Sequence, residues 1–186
     1  VYFSVIMYKR RQVFEGSGDE SIFLWGARQT GKSTLLKSMF PEALTFDLLL
    51  SNDYEKMFSN PAYIREMIAA GTSIRTVVID EIQLLPNLLN EIHWLIVNKG
   101  IRFIMGGSST RKILRSGVNL LGGRALRYEL YPLVSAEIPD FDLLRALNNG
   151  LLPRHYDAAN PRRLLSAYIG SFLRDEITTE AQVRNI

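Results

Sequence analysis

Cysteine is absent from the 186 residues, which excludes disulfides, thiol nucleophiles and Cys-based zinc sites together. Only two histidines occur, His93 and His155, too few and too far apart for a His-rich metal site. Apolar runs are short: Ile22-Phe23-Leu24-Trp25 is typical, far below the ~20 residues of a membrane-spanning helix. The apolar start, Val1 to Met7, precedes the basic residues Lys9-Arg10-Arg11, the reverse of the order in a secretory signal. Met7 is a plausible native start, with residues 1–6 as an upstream extension. A large excess of one charge is also missing, since 22 basic and 19 acidic residues give a net +3. These absences lead to the expectation of a soluble cytoplasmic domain with no membrane partner.

What is present suits a packed core: 47% apolar and 22% charged residues. The charge is uneven. Residues 1–100 carry a net −1 and residues 101–186 a net +4, with 11 of the 12 bases in that second part being Arg. Arginine forks suit phosphate and carboxylate. Solvated helix faces are the plainer reading, and nucleic acid stays open as a partner.

Short β-like runs alternate with helical patterns. Ser21–Trp25, Ala43–Leu48, Thr76–Ile79, Ile101–Met105 and Ala125–Leu130 read as strands. Between them lie helical segments at Lys32–Phe40, from Asn60-Pro61 to Gly71, from Pro86-Asn87 to Gly100, and at Ser109–Arg115. Strands alternating with helices predict right-handed crossovers. The expected fold is an α/β three-layer sandwich, with a mostly parallel five-stranded sheet and helices on both faces. Beyond Pro132 the pattern turns helical, at Phe141–Asn148 and Arg162–Glu176. Residues 1–140 are therefore read as the core domain and 141–186 as a helical extension.

Gly26-Ala27-Arg28-Gln29-Thr30-Gly31-Lys32-Ser33 fits G-x-x-x-x-G-K-[ST] between a strand and a helix, where a phosphate cradle needs it. Glycines let the backbone wrap phosphates closely, and the helix start aims N–H groups at the anion. Lys32 is placed for the β- and γ-phosphates and Ser33 for Mg²⁺, with Thr34 completing the binding stretch. Such a cradle predicts a carboxylate at the end of a buried strand. Val77-Val78-Ile79-Asp80-Glu81 supplies two: Asp80 for Mg²⁺, and Glu81 to polarise an attacking water. Without the cradle, the pair would read as solvated acids capping a turn. Ser108 and Ser109, at the tip of the next strand, are candidates to touch the γ-phosphate, or to cap a helix.

With these residues together, the chain resembles AAA+-type P-loop ATPases of bacteria and archaea that carry a poorly characterised second domain. The likeness rests on G-A-R-Q-T-G-K-S at 26–33, D-E-I-Q at 80–83 with Pro86, G-S-S at 107–109, Leu121-Gly122-Gly123-Arg124, Tyr131-Pro132-Leu133 and Glu137. It spans roughly residues 7 to 176, and implies a second domain running beyond Ile186. It implies ATP or ADP and Mg²⁺ as ligands, and Lys32, Glu81, Ser108 and Arg124 as catalytic residues. Arg124 would neutralise γ-phosphate charge, in its own subunit or in a neighbour within a homo-oligomer. Two positions depart from the family: Gly106 stands where Thr is usual, and Val134 where Ser is common.

The leading expectation is Mg-dependent ATP hydrolysis used as a switch. A nucleotide-binding module with negligible hydrolysis, or a DNA-associated ATP-binding protein, are the alternatives. A small-molecule kinase would need an arginine-bearing lid. A GTPase would need N-K-x-D, and Asn98-Lys99-Gly100-Ile101 places Ile where Asp belongs. Asp47, His93, Trp94 and the basic turn Lys9–Arg11 are read as caps, packing or surface.

Overall fold

A computed structural model describes residues 8–71, 73–108, 113 and 121–172. The expected helix Ser109–Arg115, apart from Ile113, lies outside the described residues. So do the second serine candidate, Ser109, the start at Met7, and everything after residue 172. Internal packing separates two compact units, Val13–Leu130 and a second formed by residues up to Gln12 together with those from Tyr131.

In the first unit, β-branched and aromatic runs form five parallel strands: β1 Ser21–Trp25, β2 Leu44–Asp47, β3 Thr76–Asp80, β4 Arg102–Gly107 and β5 Ala125–Glu129. Their spatial order is β2-β3-β4-β1-β5, so β4 is inserted between the cradle strand β1 and the acidic strand β3. Side chains alternate between the two faces of a strand. Ile22, Leu24, Val78 and Ile104 therefore pack on one face with Leu35 and Leu36 of α1 (Lys32–Met39). Phe23, Trp25, Val77, Ile79, Phe103 and Met105 pack on the other. There they meet α2 (Ser51–Ser59), α3 (Tyr63–Ala70) and α4 (Leu88–Lys99) through Met57, Ile64, Leu88, Ile92 and Leu95. This is the three-layer α/β/α fold expected from the alternation. Helix α4 ends where read, on Gly100 at φ 60, which accommodates the left-handed turn. No helix among the described residues is long and apolar enough to cross a membrane.

The second unit holds α5 (Leu143–Asn149), α6 (Pro153–Tyr156) and α7 (Pro161–Phe172). Asp142 caps α5 by accepting the Arg145 backbone N–H. Glu137 is anchored within this unit. The Arg10 Nε–Glu137 Oε2 ion pair, at 3.0 Å, is almost fully shielded from water. Glu137 also accepts the backbone N–H of Arg11 at 2.7 Å and of Val134 at 3.2 Å, while Arg10 donates to the Tyr131 carbonyl at 2.6 Å. Arg10 is thus a structural clamp and not a solvated basic turn. Burial pushes the Glu137 carboxyl up, but these backbone N–H groups and the guanidinium outweigh it and hold it below its ordinary value.

Candidate functional site

The cradle joins β1 to α1. A Cβ at Gly26 would lie 2.3 Å from the Leu130 carbonyl oxygen, so only glycine lets the chain leave β1 at this angle. Gly31, at φ 94 and ψ 22, turns the chain into α1, and no side chain caps the first turn. The N–H groups of a helix start suit an anion. Gln29 is left-handed too, at φ 65, which gives the loop its curl. Thr30 is fully buried and donates its hydroxyl to the Ala27 carbonyl at 2.9 Å, tying the loop across itself. Lys32 is only 4% exposed, and its ammonium donates to the carbonyls of Gly26 at 2.8 Å and Ala27 at 3.0 Å. The charge is held against the loop, at the place where phosphate oxygens would be drawn in. Ala27, Arg28, Gln29 and Thr34 lie on the exposed side of the stretch, and Ser33 is half-buried at the start of α1.

The parallel register sets the rest. Trp25 of β1 pairs with Gly107 of β4, and Ile79 of β3 with Met105. The carboxyl ends of β1, β3 and β4 therefore form one edge, bringing the cradle, Asp80, Glu81 and Ser108 together. Asp80 is 5% exposed, and its Oδ1 accepts the Glu81 backbone N–H at 3.1 Å. No ion pair to Asp80 forms among the described residues. A carboxylate that is nine-tenths buried with no cationic partner is costly unless a cation joins it. Carboxylate and hydroxyl oxygens, as on Asp80 and Ser33, are the hard donors that Mg²⁺ prefers. Glu81 leaves the strand in the left-handed region, at φ 58 and ψ 40, an uncommon conformation for a side-chain-bearing residue. Such strain persists where surrounding bonds hold it.

A profile of the AAA domain family matches residues 18–139, more than half of the chain. The chain belongs to that family. No curated protein sequence matches it significantly. Among solved structures, domain III of the Thermotoga maritima replication initiation protein DnaA aligns at a TM-score of 0.42 and 16% identity, over 86% of this chain and 78% of that one. AMPPCP-bound DnaA from Aquifex aeolicus aligns at 0.49 and 16%, over 88% of this chain and 60% of that one. Membership supports a nucleotide-binding, ATPase-type domain.

The AAA domain does not bring Arg124 to this edge. Arg124 precedes Ala125, which pairs with Ser21 at the opposite end of β1, while Trp25 pairs with Glu129. Four residues of strand, about 13 Å, separate it from the cradle level, and its side chain is exposed. Action on its own subunit's nucleotide does not fit that position. Asp47 faces Asp80 across the β2–β3 register, and its Oδ1 accepts the Leu49 N–H, a strand-end cap. The residue that sequence reasoning left without a role is Gln83. It donates to the Glu81 carboxylate and, at 3.1 Å, to the Ser108 hydroxyl. The only signal for it was its place in D-E-I-Q, because its partner Ser108 is 25 residues away.

Proposed function

We propose that this AAA domain binds ATP with Mg²⁺ and hydrolyses the β–γ phosphoanhydride bond, using the cycle as a switch. The observation that carries the reading is the pair of unlike carboxylates at the end of β3. Asp80 is buried beside the cradle, and Glu81 is turned out of the strand next to it. Backbone N–H groups from 26–34 would hold the phosphates, and Lys32 would exchange its loop carbonyls for β- and γ-oxygens. Ser33 and Asp80 would hold Mg²⁺, whose charge offsets that of the phosphate oxygens when it is bound. Glu81 would accept a hydrogen bond from the attacking water. The water oxygen bonds to the γ-phosphorus as its bond to the bridging oxygen breaks, ADP takes the electron pair, and the proton passes by way of Glu81 to solvent. Ser108 would donate to the γ-phosphate or the water.

A second reading is favoured by the position of Arg124. If the charge-neutralising arginine must come from a neighbouring copy, a dilute chain binds nucleotide and turns it over slowly. Phosphate release from ATP, with and without Mg²⁺ across a range of protein concentrations, tests both. Mg-dependent release that rises per chain with concentration is expected. The absence of any release at the highest concentration would leave only the binding reading.

A further inference from the structure

Gln83 is 6% exposed and lies in the short 3₁₀ turn Ile82–Leu84 after β3. Its Oε1 accepts the Ser108 backbone N–H at 3.3 Å. A backbone N–H can only donate, so this bond fixes which end of the amide is oxygen. Nε2 then donates to Ser108 Oγ at 3.1 Å and to Glu81 Oε2, using both of its hydrogens. All the principal bonding capacity of one buried amide is thereby spent joining the end of β3 to the end of β4. Gly107 makes the room. A Cβ there would lie 2.6 Å from Gln83 Oε1 and 2.4 Å from Trp25 Cζ3.

We propose that Gln83 is a positioning residue for hydrolysis: it fixes the Glu81 carboxylate and ties it to Ser108. A displacement of Ser108 by a γ-phosphate is then felt at the group that orients the water. This rests on the ATPase reading above. The bridge occupies Glu81 Oε2 and leaves Oε1 to accept from water. A carboxylate on a flexible stem gains from such anchoring, because a misplacement near 1 Å can cost about 10²-fold in rate.

The test is single-turnover ATP cleavage, with ATP affinity measured alongside, in the wild-type chain, Gln83→Met, Gln83→Glu, Glu81→Gln and the Glu81→Gln/Gln83→Met pair. Methionine keeps the length and volume without the donors. Gln83→Met should slow cleavage by about tenfold or more while ATP affinity changes by less than about twofold. In the Glu81→Gln background the same change should add almost nothing, since it acts through Glu81. Gln83→Glu removes both donors and sets a second carboxylate against Glu81, so it should slow cleavage at least as much as Gln83→Met. Wild-type cleavage by Gln83→Met or Gln83→Glu, or an equal loss in both backgrounds, would each overturn the proposal alone. A wild-type chain without turnover refutes the ATPase reading and this proposal with it.

Discussion

Gly106 is the position at which the resemblance implies Thr, and the structure gives the consequence of placing a side chain there. A Cβ at Gly106 would lie 2.6 Å from Asp80 Oδ1 and 3.0 Å from Leu36 Cδ1. Ordinary contact begins near 3.4 Å, so in Gly106→Ala the carboxylate oxygen must retreat by about 0.8 Å. Leu36 is 1% exposed and packed under the sheet, so it yields less easily than the strand-end carboxylate. Overpacking of this kind costs about 1–3 kcal/mol of stability. The larger effect belongs to the site, since Asp80 would leave the position from which we propose that it and Ser33 hold Mg²⁺. Titration calorimetry with ATP should show Mg-free affinity near wild type and most of the Mg²⁺ enhancement lost. Denaturant unfolding should place the stability cost within that range. A variant with wild-type stability and full Mg²⁺ enhancement would refute both the packing argument and the metal role of Asp80.

Arg124→Ala and Glu81→Gln, each strongly slowed alone, should regain turnover when mixed, because one supplies the carboxylate and the other the arginine at a shared boundary. A mixture as inactive as its parts, with wild-type activity per chain independent of concentration, removes Arg124 from the mechanism. Glu137→Gln leaves Arg10 buried without its partner and should cost about 3–5 kcal/mol near neutral pH. The folded-state Glu137 carboxyl lies below its ordinary value, so its contribution is complete above that ordinary value and fades as pH falls through the lower folded one. The gap between wild type and variant should narrow in acid, and a pH-independent gap would contradict the assignment. Burial also lowers the His155 pKa from 6.5, so wild-type stability should already decline as pH drops below about 6.5.

Local patterns announced much of this. The run Ser21–Trp25 is buried at every position and was legible as an apolar strand; Gly100 ended α4 where its residue type said it would. The cradle and the Asp80-Glu81 pair were legible because their chemistry is written in adjacent residues. Helix α2 was missed for a physical reason. Its apolar residues are only Tyr54, Met57 and Phe58, and of these Met57 alone is buried, so the stripe along Ser51–Ser59 is one turn long among polar residues. Gln83 and Arg10 were not legible because their partners are brought close by tertiary folding. Gln83 meets Ser108 because β3 and β4 are neighbours, and Arg10 meets Glu137 across 127 positions of chain. The far-edge placement of Arg124 likewise needed the β1–β5 register.

The most direct test of the ATPase account is release of radiolabelled phosphate from [γ-³²P]ATP under single turnover, at high protein concentration with Mg²⁺, by wild type, Lys32→Ala and Glu81→Gln. Lys32→Ala loses charge-assisted bonds worth about 1.5–3 kcal/mol each, so it should bind ATP at least about tenfold more weakly and release little phosphate. Glu81→Gln should hold ATP as tightly as wild type and cleave it about 10²-fold more slowly. Equal cleavage by wild type and Glu81→Gln, or undiminished ATP binding by Lys32→Ala, would contradict the account.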